Sequence, residues 1–166
     1  MSMTESNLRS AFAGESQAHV RYLIFADRAE REGYANLARL FRAIAYAEQV
    51  HATNHYKELG GINISAENLQ AAIDGETYEV NEMYPAYRAV AELEEEKGAI
   101  RSTGWALEAE KIHAQMYKEA KEAVEKGVDP ELGGIYICQV CGHTVEGEPP
   151  EKCPLCGAKR QKYVKF

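Results

Sequence analysis

From Thr4 to about Lys126 apolar residues recur every three or four positions among Ala, Glu, Leu, Arg and Lys, a period that predicts helix nearly throughout. Thr4, with Glu5 behind it, is placed to cap the first helix, which Glu30-Arg31-Glu32-Gly33 ends. A second runs from about Tyr34 to Leu59 and stops at Gly60-Gly61. Ser65 is placed to cap a third that reaches about Lys97, with a kink or an unpaired carbonyl expected at Pro85. Gly98 is expected to open the turn into a fourth, which closes near Lys126-Gly127. Each would hold about 25–30 residues and span roughly 40 Å at 1.5 Å per residue. Short turns make the first two helices, and again the last two, antiparallel neighbours, and the fold class expected is an all-α four-helix bundle with a small β-rich appendage.

The helical pattern fails at Val128-Asp129-Pro130-Glu131-Leu132-Gly133-Gly134, and Ile135-Tyr136-Ile137 then reads as a short strand. Two modules are expected, a bundle over 1–130 and a tail over 131–166. Composition divides at the same place. All four cysteines lie in the tail; residues 1–130 carry a net charge of −8 and residues 131–166 a net charge of +1. So short a tail cannot be stabilised by apolar burial alone and needs a staple. The overall net charge of −7 argues against general nucleic-acid binding. The absence of a long apolar run excludes a membrane span, and an N-terminus without a signal-peptide core points to the cytoplasm.

The staple is legible in Cys138-Gln139-Val140-Cys141-Gly142 and Cys153-Pro154-Leu155-Cys156-Gly157. Two C-x-x-C knuckles place four thiolates at the corners of a tetrahedron, and the glycine after each permits the left-handed turn that aims backbone N–H groups at sulfur. Disulfides are disfavoured in a reducing compartment. Tetrahedral sulfur suits zinc and iron alike, so the tail by itself leaves the metal open.

The helices carry two Glu-x-x-His pairs, Glu48–His51 and Glu110–His113. Residues three apart share a helix face, so both side chains of a pair can reach one metal. Both pairs lie in apolar stripes: Ile44, Glu48 and His51 in one helix, Ala106, Glu110, His113 and Tyr117 in another. The other two helices supply carboxylates, Glu15 in the stripe of Leu8, Phe12 and Tyr22, and Glu76 and Glu79 in that of Leu69, Ala72 and Met83. Five carboxylates converging without a basic partner would cost several kcal/mol each unless metal-bound, so these positions predict a dinuclear site. Glu92, Glu94, Glu95 and Glu96, by contrast, read as a solvated acidic face. Glu15 precedes Glu48 by 33 positions and Glu76 precedes Glu110 by 34, so two similar hairpins repeat one ligand pattern, as in ferritin-like di-iron bundles.

With these motifs on view, the chain resembles the rubrerythrin family along nearly its whole length. The segments that carry the likeness are FAGESQA around Glu15, AEQVH around His51, GETYEVNEMYP around Glu79, AEKIH around His113 and the two-knuckle tail. The resemblance implies a ferritin-like di-iron bundle fused to a rubredoxin-like Fe(Cys)4 domain. It also implies the ligands: Glu15, Glu48 and Glu110 for one iron, Glu48, Glu76, Glu110 and His113 for the other, with Glu48 and Glu110 bridging. The irons would be oxo-bridged when oxidised, and on reduction the first would trade Glu79 for His51, the two residues that the likeness makes catalytic. That exchange leaves two ferrous ions balanced by four carboxylates, a neutral set suited to a dry site. Tyr22 and Tyr84 would hydrogen-bond the carboxylates.

The activity implied is a non-haem peroxidase that reduces hydrogen peroxide to water in defence against oxidative stress. Its electrons would come indirectly from NAD(P)H, through a reductase or rubredoxin, and enter at the Fe(Cys)4 centre. A homodimer or higher homo-oligomer is expected, because within one chain the tail would lie too far from a mid-bundle site. Two rivals stay open: a ferroxidase or iron-handling protein, and a binding module with a zinc tail and a redox-silent bundle. His19, one turn after Glu15, reads as a supporting or core residue, His55 as packing or solvent-facing, Trp105 as core, and His143 as no ligand, since four thiolates fill a tetrahedron.

Overall fold

The computed structural model describes residues 2–166; Met1, the first residue of the expected bundle module, lies outside them. The helices are α1 (Met3–Arg31), α2 (Ala35–Glu58), α3 (Ser65–Tyr78), α4 (Tyr84–Leu93) and α5 (Lys97–Glu125), with a π-helical turn, Glu79–Met83, joining α3 to α4. Strands β1 (Ile135–Cys138), β2 (Thr144–Glu146) and β3 (Tyr163–Lys165) follow. The chain divides into two compact units, the first ending at Asn63 and the second running Ile64–Phe166. The boundary expected at residue 130 falls inside the second.

The first unit is the antiparallel pair α1 and α2. Its seam is made of small residues, with Ala26, Ala29, Ala38, Ala45 and Ala52 buried between the helices. Alanine lets two backbones approach closely, and larger groups pack beside the seam. Phe12 stacks on Tyr56 with ring centroids 4.9 Å apart, and Phe25 meets Phe41 edge-on at 5.6 Å. His19 supports the seam as expected: its Nδ1 donates to the Ala45 carbonyl across the pair, at 2.8 Å.

In the second unit α3 and α4 both pack on α5. The interruption expected at Pro85 is the π-helical turn just before it. Proline has no N–H and its ring crowds the carbonyl four residues back, and one extra residue in the turn relieves both. The Tyr84 N–H bonds instead to the Glu79 carbonyl, five residues back.

Three local expectations are corrected. The cap of α1 is Ser2, whose hydroxyl accepts the Glu5 N–H at 3.1 Å, and not Thr4, which lies within the helix. Ser65 is the first residue of α3, capped by Ile64 with no side-chain bond. The turn before α5 is made by Glu94–Glu96 and not by Gly98, which lies inside α5; Glu95 adopts the left-handed region at φ 56°. That conformation costs a non-glycine residue roughly 1–2 kcal/mol. The Glu96 N–H closes the turn by bonding to the Ala91 carbonyl at 2.9 Å.

The tail forms a three-stranded antiparallel sheet in the order β2-β1-β3, with Ile137 opposite Thr144 on one side and Val164 on the other. Together the elements show the expected class, long helices followed by a small strand-bearing module that holds the cysteines. Among the described residues, no helix is long and apolar enough to cross a membrane.

Candidate metal centres

The Glu-x-x-His pairs behave as helical spacing dictates. In α2 the Nδ1 of His51 lies 2.9 Å from Glu48 Oε2, and in α5 the Nδ1 of His113 lies 2.5 Å from Glu110 Oε2. Each pair gains a carboxylate from the neighbouring helix of its own unit. Glu15 of α1 joins Glu48 and His51, and Glu76 of α3 joins Glu110 and His113, with the donor atoms of each trio within 4.8 Å of one another. The carboxylates are mostly withdrawn from solvent, Glu48, Glu76 and Glu110 keeping 16%, 19% and 17% of their side-chain exposure.

Electrostatics in the second trio favour a cation. Burial, a hydrogen bond that the protonated Glu76 donates to Glu110, and the charges of Glu110 and Glu79 push the Glu76 carboxyl up to about 7. Glu79 is also raised, by burial and then by Glu110, with His113 acting in the opposite direction. Among the described residues no Lys or Arg pairs with Glu15, Glu48, Glu76, Glu79 or Glu110. Carboxylates that repel one another beside imidazole nitrogens suit a divalent or trivalent metal. The residues present therefore fit iron.

Glu79 opens the π-helical turn, and the extra residue there sets its side chain on the α5 side beside Glu76 and Glu110. Tyr84, the first residue of α4, stands by the same group. Burial, then the charges of Glu79, Glu110 and Glu76, raise its hydroxyl above the usual phenol range. Tyr22 instead lies in the aromatic cluster of the first unit, 6.3 Å from Phe25 and 6.1 Å from Phe41 between ring centroids.

The four cysteines also converge, with Cys138 Sγ 3.7 Å from Cys156 Sγ and Cys141 Sγ 3.4 Å from Cys153 Sγ. The two knuckles have the same construction. Gly142 at φ 79° and Gly157 at φ 73° donate back to the carbonyls of Cys138 and Cys153, each at 2.9 Å. The reversal aims the His143 N–H at the Cys141 sulfur and the Ala158 N–H at that of Cys156. Burial raises the Cys141 and Cys156 thiols. At Cys153 burial is outweighed by the Tyr163 hydroxyl and the Cys156 and Leu155 N–H groups, which bring the thiol down to about 6. A group of thiols with donors already trained on their sulfurs suits a metal held as tetrathiolate.

The family model for rubrerythrin matches residues 6–121, and that for the rubrerythrin rubredoxin-like domain matches residues 136–164. The chain belongs to the rubrerythrin family. It is 45% identical to Rubrerythrin-2 of Clostridium acetobutylicum, across 99% of this chain and 97% of that protein. It is 32% identical to nigerythrin of Nitratidesulfovibrio vulgaris, across 98% of this chain and 86% of that protein. Among solved structures it is similar to the fully reduced, all-ferrous state of nigerythrin, with a TM-score of 0.58, 31% identity and coverage of 100% of this chain and 88% of that one. Rubrerythrins are oxidoreductases with a carboxylate–histidine iron site and a cysteine iron site, and this chain carries the residues for both.

Two contacts had no local signal in the sequence. His143, buried beside the knuckle, bonds through Nδ1 to the Tyr163 hydroxyl at 2.9 Å, a structural role in keeping with its exclusion as a ligand. Thr144 Oγ1 lies 2.7 Å from the Nε2 of His113, 31 residues away. The tail thus meets α5 of its own chain at His113, so the expectation that it would lie too far away within one chain is corrected for the Glu76, Glu110 and His113 trio. The physical reason is that Val128–Gly134 folds β1 and β2 back along the second half of α5, where Ile135 and Ile137 face Met116 and Tyr117.

Proposed function

We propose that this rubrerythrin is a non-haem di-iron peroxidase, reducing hydrogen peroxide to water in defence against oxidative stress. The observation that carries the reading is a carboxylate–histidine ligand set and a tetrathiolate module on one chain: two-electron reduction needs a route for incoming electrons, and iron storage does not. Glu15, Glu48, His51, Glu76, Glu79, Glu110 and His113 would together hold two irons, and Cys138, Cys141, Cys153 and Cys156 a third. When bound, the irons supply the two electrons that, with two protons, convert one hydrogen peroxide into two waters.

The protein's own part is placement and proton handling. Glu48 and Glu110, each paired with the histidine three residues on, would hold metal in common. Glu79 extends from a π-helical turn, a local geometry that commonly marks functional sites, and would be the carboxylate that gives way to His51. Freed from metal, it is placed to bring a proton to the departing oxygen, with Tyr84 beside it as a hydrogen-bond partner. His51 is suited to the exchange, since its side chain is 55% exposed where that of His113 is 29% exposed.

Electrons would come from rubredoxin or an NAD(P)H-dependent reductase, one at a time, into the tail, with 1–130 and 131–166 as the catalytic and electron-entry modules. We place the protein in the cytoplasm, where four unpaired thiols persist for metal binding, and as a homodimer or higher homo-oligomer. The test is to mix the anaerobically reduced protein separately with hydrogen peroxide and with oxygen and follow oxidation by absorbance. Faster reaction with peroxide is expected. Faster reaction with oxygen assigns a ferroxidase instead, and a colourless protein holding stoichiometric zinc assigns a redox-silent binding module.

A further inference from the structure

Thr144 is the second residue after the Gly142 that closes the first cysteine knuckle, and it is 3% exposed. Its hydroxyl has two neighbours: the Gly142 carbonyl at 3.1 Å and His113 Nε2 at 2.7 Å. A carbonyl oxygen only accepts, so the hydroxyl hydrogen goes to Gly142 and a lone pair on Oγ1 faces the imidazole. The proton shared with His113 is therefore carried by Nε2, and in the neutral ring Nδ1 is left bare. Nδ1 is the nitrogen that faces Glu110 at 2.5 Å and Glu76 at 3.9 Å. The other Glu-x-x-His pair lacks this arrangement, for His51 is held in its own unit only through Nδ1 and Glu48.

We propose that Thr144 is a positioning residue for His113, fixing the tautomer that presents Nδ1 to a metal and tying the knuckle loop after Cys141 to the carboxylate–histidine site of the same chain. The proposal rests on the reading of His113 as a metal ligand. Ligand histidines characteristically donate their remote N–H to a fixed acceptor, which sets ring orientation and raises basicity. In this chain the acceptor comes from the electron-entry module, so docking of that module and alignment of the ligand are one event. The Cys141–Gly142 backbone, the Thr144 hydroxyl and the imidazole form a continuous bonded and hydrogen-bonded path between the two centres, within a single chain.

The test uses zinc-loaded full-length protein with ¹⁵N-labelled histidine side chains. The expected spectrum shows His113 protonated at Nε2, with that proton exchanging slowly. Thr144→Val should make it exchange fast and weaken zinc at the His113 site by about 10–100-fold, as loss of such a partner typically does. Thr144→Ser, which keeps the hydroxyl, should restore both, and backbone amide spectra of the tail show that each variant is folded. Equal exchange in the wild type and Thr144→Val, or a proton found on Nδ1, overturns the proposal. Reassembling labelled wild-type chain with excess unlabelled Thr144→Val chain tests whether the bond is internal. Persistence of the slow proton supports it, and loss assigns the bond to a partner chain and overturns the single-chain arrangement. No peroxide enters the measurement, so a failed peroxidase reading and a failed proposal are told apart.

Discussion

His51 and Glu48 repeat in α2 the pairing of His113 and Glu110 in α5, Nδ1 to Oε2 at 2.9 Å against 2.5 Å, yet only His113 is held at both nitrogens. On the proposed reading, two copies of one local motif would serve as an exchangeable ligand and an anchored one. The variants should differ accordingly. His113→Ala should lose metal from the helical site and His51→Ala should retain it, as measured by metal analysis after gel filtration. His51→Ala should be impaired in peroxide turnover, because the reduced state would lack its replacement ligand.

Glu79→Ala separates binding from chemistry. Glu15, Glu48, Glu76, Glu110 and His113 remain to hold two irons, so metal content should be unchanged. General acid assistance contributes typically 10²–10⁴-fold, and single-turnover oxidation by peroxide should slow by about that range. Loss of one iron in the variant would show instead that Glu79 is needed for binding.

Crowded carboxylates predict a pH dependence for protein lacking metal at the helical site. Glu76 is raised from 4.5 to about 7 in the folded chain, so the folded state holds its proton more tightly than the unfolded state. Its contribution to stability is full below about pH 4.5 and is lost as pH rises through about 7. With zinc kept in the cysteine site, the melting temperature should fall between about pH 5 and pH 8, and Glu76→Gln should flatten that slope. Metal uptake near pH 6 should release protons, detectable by calorimetry in buffers of different ionisation enthalpy.

The knuckle glycines offer a backbone test. A Cβ at Gly142 would meet nothing within 4 Å, so Gly142→Ala is opposed only by its φ of 79°. The cost should be about 1 kcal/mol, read as earlier loss of the Fe(Cys)4 absorption band in guanidinium, with the band itself unchanged.

The alanine seam should be intolerant of bulk. Ala45 is fully buried against α1, and Ala45→Leu should destabilise the chain by about 1–3 kcal/mol in chemical unfolding. Ala43, exposed on the same helix, should accept leucine with little effect.

Features set by near neighbours were legible in the sequence. Periods of three to four residues placed the helices, and i to i+3 spacing placed Glu48 with His51 and Glu110 with His113. The C-x-x-C-G segments carry the information for their own turns. The interruption at Pro85 was readable because proline's missing N–H acts locally, though its resolution as a π-helical turn was not. Helix starts were read less well: Ser2 and Thr4 are both good caps, and choosing between them depends on where the chain enters α1.

What only the tertiary structure decided are relationships between residues far apart in the chain. Glu15 joining Glu48, and Glu76 joining Glu110, require two helices to pack at one register, which side-chain volumes along a seam determine. The raised carboxyl of Glu76 arises from burial and from Glu110, 34 positions later. The bond between Thr144 and His113 depends on how a linker folds a small sheet back onto the middle of a long helix. A hydroxyl in a strand carries no periodic signature of its partner. The sequence by itself determined which residues can bind metal, because ligand spacing is a local property of helix and knuckle. Tertiary packing decided which histidine is held at both ring nitrogens, because that depends on what meets the far side of each imidazole.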